Sequence, residues 1–288
     1  MSSKTVISCA LTGVATDPAV YNVPVTPEEM ADHAEQAFNA GATIVHCHFR
    51  DQRKGMGYLP TWDLETVGQI IGAIRERVPE IIINMSTGVM DDDISEPAAC
   101  LEKFNPEMAA CNAGSLNYLK IKANGEWAWP PGLFGNPVEK VKRFLDVMNA
   151  NHIVPEFECF DTGIVRSVGL YKRNGMFKGD AHISLVMGVA SGMAAKPEWL
   201  PLLIEEMPEG THYQVIAIGR EEVWPLHRRC IELGGNVRTG LEDTFYLPNG
   251  EKAKSNGQLV EALAKIVREV GKEPANPAEA RKYLGLLE

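Results

Sequence analysis

The segment Thr43–Asp51, TIVHCHFRD, holds the first residues whose types and spacing could do chemistry. Thr43, Ile44 and Val45 are β-branched and follow Gly41, so the segment reads as a strand. Side chains alternate across a strand, which puts His46 and His48 on one face and Cys47 on the other. Two imidazoles on one face make half of a metal site. A third histidine or a carboxylate would complete a catalytic zinc centre and leave one position open for chemistry. The competing reading is a pair of core histidines satisfied by backbone carbonyls. The strongest partner is Glu242, in the segment RTGLED near the end of the chain. For Glu242 and Asp243 the competing reading is an acidic pair at a helix entry.

Periodicity and punctuation give the elements that must position these groups. Strand signals fall at 6–11, 43–48, 81–85, 107–111, 154–160, 182–188, 212–218 and 236–240. Helical periodicity falls between them at 26–40, 64–78, 95–104, 137–150, 163–173, 197–206 and 222–233, and then at 255–270. Thr26-Pro27-Glu28-Glu29 predicts an N-cap, a proline at the first helical position and a capping box, with Gly41 as the stop. Several strands look apolar throughout, as in a parallel sheet buried on both faces. Eight such units in this length predict a (β/α)8 TIM barrel. A doubly wound open sheet is the alternative, and it lacks a GxGxxG after the first strand. No linker or domain boundary is evident, so 1–288 reads as one barrel domain with a short helical extension at 277–286.

The chain has 288 residues and a net charge of −10, with no basic block to neutralise phosphates, so nucleic acid is not an expected partner. The start, MSSKTVISCAL, is too short and polar for a signal peptide, and no apolar run reaches membrane-spanning length. The six cysteines lack CxxC spacing and read as reduced, buried residues of a cytoplasmic protein rather than nucleophiles.

In such a barrel, chemistry sits at the C-terminal strand ends. There the sequence places His46, His48, Arg50 and Asp51; Ser86 and Thr87; Asn112 and Ser115; Glu156, Glu158 and Asp161; Ser184 and Ser191; Arg220; and Arg238, Thr239, Glu242 and Asp243. Buried carboxylates and guanidinium groups are costly unless paired or bound to metal. Each has a plain structural reading: Ser86 as a helix cap, Arg238 as an ion pair with Asp243, Asn112 as a turn residue. Their shared placement points to a site.

The segments HCHFRD, NMSTG at 84–88, PEMAACNAGSLNY at 106–118, PEFECFDTG at 155–163 and NVRTGLEDTFY at 236–246 together resemble the β-keto acid cleavage enzymes over nearly the whole chain. The resemblance implies a zinc-dependent barrel, usually tetrameric. It also implies a reaction in which a β-keto acid and acetyl-CoA give acetoacetate and a new CoA thioester. By position it implies zinc on His46, His48 and Glu242. Arg238 and Asp243 match the pair that handles proton abstraction. Ser86 joins them as a catalytic group, and Asn112, Glu158 and Thr87 match substrate-binding positions. Two departures bear on specificity. Family members that act on an ammonium-bearing substrate carry a glutamate where this chain has Ala15, and a threonine where it has Ala110. A neutral or apolar β-keto acid is therefore expected. A dicarboxylate reached by Arg50 or Arg220 comes next, and a quaternary ammonium held by aromatic faces third. The Trp- and Pro-rich stretch 125–137 is more apolar than a solvated loop should be, which supports an oligomer. The alternative activity is a metal-dependent hydrolase of the amidohydrolase type. That type carries HxH on the first strand and further histidines on the fifth and sixth strands. A non-catalytic anion or sugar binder would not need HxH with Glu242.

Overall fold

The computed structural model describes residues 3–14 and 16–286; Ala15 lies outside them. Eight strands form a closed parallel barrel: β1 (Ile7–Ala10), β2 (Ile44–Cys47), β3 (Ile82–Met85), β4 (Met108–Asn112), β5 (Val154–Cys159), β6 (His182–Met187), β7 (His212–Ala217) and β8 (Asn236–Thr239). Each pairs with its neighbours in sequence. β8 closes on β1 in the register Val237↔Ile7, Arg238↔Ser8 and Thr239↔Cys9. Helices α1 (Pro27–Ala40), α2 (Leu64–Arg77), α3 (Ser95–Phe104), α4 (Val138–Ala150), α5 (Thr162–Asn174), α6 (Leu200–Glu205), α7 (Trp224–Glu232) and α8 (Asn256–Glu269) follow the strands in turn. This is the (β/α)8 TIM barrel that the alternation predicts.

The strands are not apolar on both sides, as the sequence reading expected. Outward residues such as Ile7, Cys9, Val45, Cys47, Ile83, Met85, Phe157 and Leu185 join the large core under the helices. Alternate residues of the same strands include Ser8, His46, Asn84, Glu156, Ser184, Gln214 and Arg238, all buried. By the period-two rule these project into the barrel, so its interior is largely polar and the apolar core is the layer between sheet and helices. The lower end is closed differently. Val6, Ile44, Ile82 and Met108 pack against Ala280, Leu284 and Leu286 of the C-terminal segment that carries α9 (Pro277–Leu284). The six cysteines are free and buried.

Local signals account for the helix ends. Thr26 Oγ1 accepts from Glu29 N, Glu29 returns the bond to the Thr26 N–H, and Gly41 ends α1 at φ 116°. Two helix starts and one connection differ from the expectation. The segments 197–206 and 222–233 open with single 3-10 turns, Pro197–Trp199 and Glu221–Val223, so α6 and α7 start later. The stretch after β4 is not a plain loop: Leu116–Tyr118 and Gly132–Phe134 pair as an antiparallel hairpin. Among the described residues, no helix is long and apolar enough to cross a membrane.

Candidate active site

β2 ends at Cys47, so His46 is the last inward residue of the strand and His48 is the first beyond it. Their rings lie 5.2 Å apart, edge to face. Glu242 reaches them from the turn after β8: its Oε1 is 3.7 Å from His46 Nε2 and 3.6 Å from His48 Nε2. That turn depends on Gly240, at φ +150°, because a Cβ there would meet the Ala10 carbonyl oxygen at 2.1 Å. Gly13, at φ +56°, packs against the Glu242 side chain and leaves no room for a Cβ.

Arg238, on β8 and buried, gathers the carboxylates. Its Nε and Nη2 bind Asp243 at 3.0 and 2.9 Å, Nη2 also binds Glu242 Oε1 at 2.7 Å, and Nη1 reaches Glu158 Oε1 at 3.4 Å. Burial works against charge on Glu242, but Arg238 and both histidines hold it well below the usual carboxylate range. Burial, together with Arg238, keeps His46 neutral, so a ring lone pair is available. Burial lifts Asp243 to about 6 against the pull of Arg238, with Glu242 adding to the rise. Burial pushes Glu158 further, to about 8, again against Arg238, and its carboxylate neighbours add to it. The three carboxyls are thus driven apart, with Glu158 raised furthest and Glu242 held down.

His46, His48 and Glu242 offer three ligand atoms within 4.8 Å of one another. Two observations fit this set to a divalent cation. Even with Glu158 pushed toward its neutral form, two carboxylates face a single guanidinium, so negative charge is in excess. His46 Nε2 and Glu242 Oε2 are buried without hydrogen-bond partners.

A cavity of about 1090 Å³ opens above this floor. His48, Glu242, Ser86, Asn112 and Glu158 line it. Asp243, with a fully buried side chain, lies beneath behind Arg238. Thr87 is not brought in: it is buried, and its hydroxyl donates to the Ala110 carbonyl at 2.6 Å. Neither arginine proposed for a second carboxylate is available. Arg50 is 1% exposed. Its guanidinium donates to Thr12 Oγ1 and O, Thr16 O and Oγ1, and Gly57 O, so it ties the loop after β1 to the loop after β2. Arg220 is exposed, stacks 4.2 Å over Tyr246 and pairs with Glu221. The sequence reading missed much of the wall. Trp62, Val89, Tyr118, Phe134 and Phe160 line it, two of them supplied by the hairpin. The signal was there in two short aromatic-bearing runs, LNY and GLF, flanking a turn-rich segment.

The model of a family described as beta-keto acid cleavage enzyme matches residues 4–286. A 3-keto-5-aminohexanoate cleavage enzyme of Fusobacterium nucleatum is 34% identical over 99% of each chain. A 3-oxoadipate:acetyl-CoA acetyltransferase of Cupriavidus necator is 32% identical over 99% of this chain and 96% of its own. Among solved structures, the apo structure of ObcA superposes with a TM-score of 0.74 at 19% identity. The match covers 92% of this chain and 65% of that one, a likeness of fold alone. The amidohydrolase reading finds no support: HxH stands on the second strand, and β5 carries no histidine.

Proposed function

Because this chain belongs to the beta-keto acid cleavage enzyme family, we propose that it converts a β-keto acid and acetyl-CoA into acetoacetate and a new acyl-CoA, on a zinc site formed by His46, His48 and Glu242. The observation that carries the reading is the convergence of those three side chains on one point beneath a closed-floored cavity. Zinc held there would supply Lewis acidity toward the keto oxygen of the substrate.

The chain's own residues account for the rest. Asp243 takes the proton from the carbon between the keto and carboxylate groups, and Arg238 orients it and offsets developing negative charge. Since Asp243 sits behind Arg238, the reacting carbon must come down to the cavity floor. Ser86 and Asn112, both at the rim of that floor, hold substrate oxygens. Glu158, pushed by burial toward its neutral form, serves there as a hydrogen-bond donor rather than as the base. The carbanion attacks the acetyl-CoA carbonyl and the thiolate leaves. The thiolate then adds to the original keto carbon. The carbon–carbon bond breaks, and the released acetoacetate carbanion takes back the proton. Bonds and charge balance with no further reactant.

The two relatives differ in the charge of their named substrates at nearly equal identity, so the cavity decides between them. Its lining includes Asp51, Asp63, Asp91, Asp93 and Glu96, and Arg53 as the basic side chain, which is itself clamped to Asp51. That supports a β-keto acid with a neutral, apolar or cationic tail over a dicarboxylate. A panel of β-keto acids incubated with acetyl-CoA, with acetoacetate followed, tests this. A preference for a neutral or cationic member is expected, and a preference for a dicarboxylate would overturn the substrate class. We also place the protein in the cytoplasm as a single barrel domain, on the reduced cysteines and the unbroken strand–helix alternation.

A further inference from the structure

Beneath the site runs a buried polar chain that the reaction above does not use. Asn84 on β3 stands beside His46 on β2 in the sheet register. Its Nδ2 donates to Glu156 Oε2 on β5. Glu156 Oε1 accepts from Ser184 Oγ at 2.5 Å and from Gln214 Nε2 at 3.2 Å, and Gln214 Oε1 accepts from Ser8 Oγ at 3.0 Å. Asn84 and Glu156 are 1% and 4% exposed.

The chain has a direction. Glu156 Oε2 accepts from the NH2 end of Asn84, which turns Oδ1 away. That Oδ1 is buried with no hydrogen-bond partner. His46 Nδ1 is buried and orphaned as well. The other ring nitrogen, Nε2, is the one that faces Glu242. A neutral imidazole whose Nε2 lone pair is free carries its proton on Nδ1. An orphaned donor and an orphaned acceptor thus stand on paired residues of adjacent strands, where leaving either unmet is costly.

We infer that Asn84 is a positioning residue for the metal site, its Oδ1 accepting the Nδ1 proton of His46, and that Glu156 holds Asn84 the right way round. The inference rests on reading His46, His48 and Glu242 as the metal ligands. The relay fixes the tautomer that presents Nε2 and sets the ring's orientation before any metal arrives. Outer partners of ligating histidines typically contribute ~10–100-fold to metal affinity.

The test is zinc affinity of the metal-free full chain, measured by competition with a chromophoric chelator, for wild type, His46→Ala, Asn84→Ala and the double variant Asn84→Asp/Glu156→Gln. The double variant exchanges carboxylate and amide: the carboxylate accepts from His46 and from the amide behind it, whose oxygen still meets Ser184 and Gln214. Asn84→Ala should bind zinc ~10–100-fold more weakly than wild type, and the exchange should restore most of that loss. A merely structural role for Asn84 would instead lower thermal stability with zinc affinity unchanged. Should Asn84→Ala not fold, 15N spectra of the zinc-loaded wild-type imidazoles decide: the His46 ring must be protonated at Nδ1, and a Nδ1-metallated ring overturns the inference. Wild-type affinity in Asn84→Ala, or no recovery in the exchange variant, also overturns it while leaving the ligand reading intact. Full zinc binding by His46→Ala would sink that reading and the inference together.

Discussion

At the scale of single residues, the site turns on how one guanidinium is shared. Arg238 contacts Asp243, Glu242 and Glu158, and these three carboxyls end up in different states. Environments that push such groups apart are what assigns acid and base roles. We therefore expect Asp243→Asn to retain metal and fold while losing turnover by ~10²–10⁴-fold, the usual contribution of a general base. Glu158→Gln keeps a donor at the rim and should lose far less. The opposite ranking in steady-state assays would exchange the two roles. Most of this site could be read from the chain, because HxH and RTGLED each bring several chemical groups together by local spacing alone. What could not be read was which polar residues are already saturated. Arg50 and Thr87 stand next to site-bearing segments, yet Arg50 is consumed largely by the loop after β1 and Thr87 by the Ala110 carbonyl on β4. Such partners are far apart in sequence, and nothing in the local pattern announces them.

At the scale of elements, the turn after β8 does the positioning. Gly240 lets the backbone pass the Ala10 carbonyl, and Glu242 and Asp243 then both reach Arg238 Nη2. Gly240→Ala should weaken zinc binding more than it lowers thermal stability, because the strain falls on the ligand turn. Unchanged zinc affinity would argue against that. Helix α7 contributes a different liability. His227 is buried in it with both ring nitrogens unpartnered, and burial lowers its pKa to about 4. The unfolded chain takes up this proton near pH 6.5, whereas the folded one resists until about pH 4. Stability from this group is therefore fully present above pH 6.5 and falls as pH drops from 6.5 toward 4. The whole span amounts to about 3 kcal/mol at ~1.4 kcal/mol per pH unit. Urea unfolding midpoints should drop over that window, and less steeply in His227→Leu; equal slopes would remove His227 as the cause. Strands and helices were legible because alternation and capping are local. The polar barrel interior was not legible as a layer, since each strand shows only one or two polar residues, as in Val-Pro-Glu-Phe-Glu-Cys and Ile-Val-His-Cys, and the closed sheet is what brings them to one inward face.

At the scale of the whole molecule, two features remain to be joined: an acidic, aromatic-walled cavity and the hairpin that rims it. The hairpin and its flanks expose Ile121, Trp127 and Leu133 at 61%, 49% and 60%. Apolar surface of this kind is unusual on a monomer. A homo-oligomer, with the tetramer first in line, is the expected solution state, and light scattering at micromolar concentration that gives the monomer mass would refute it. The chemistry makes a sharper demand, because an acyl exchange fixes the fate of every carbon. The acetyl group of acetyl-CoA must become the keto half of acetoacetate, while the carboxymethyl group of the β-keto acid becomes the other half. Acetyl-CoA labelled in its acetyl carbonyl, incubated with the preferred β-keto acid, is the most direct test. The label is expected at the keto carbon of acetoacetate, with none in the new acyl-CoA. Label in free acetate, or unlabelled acetoacetate, would contradict it.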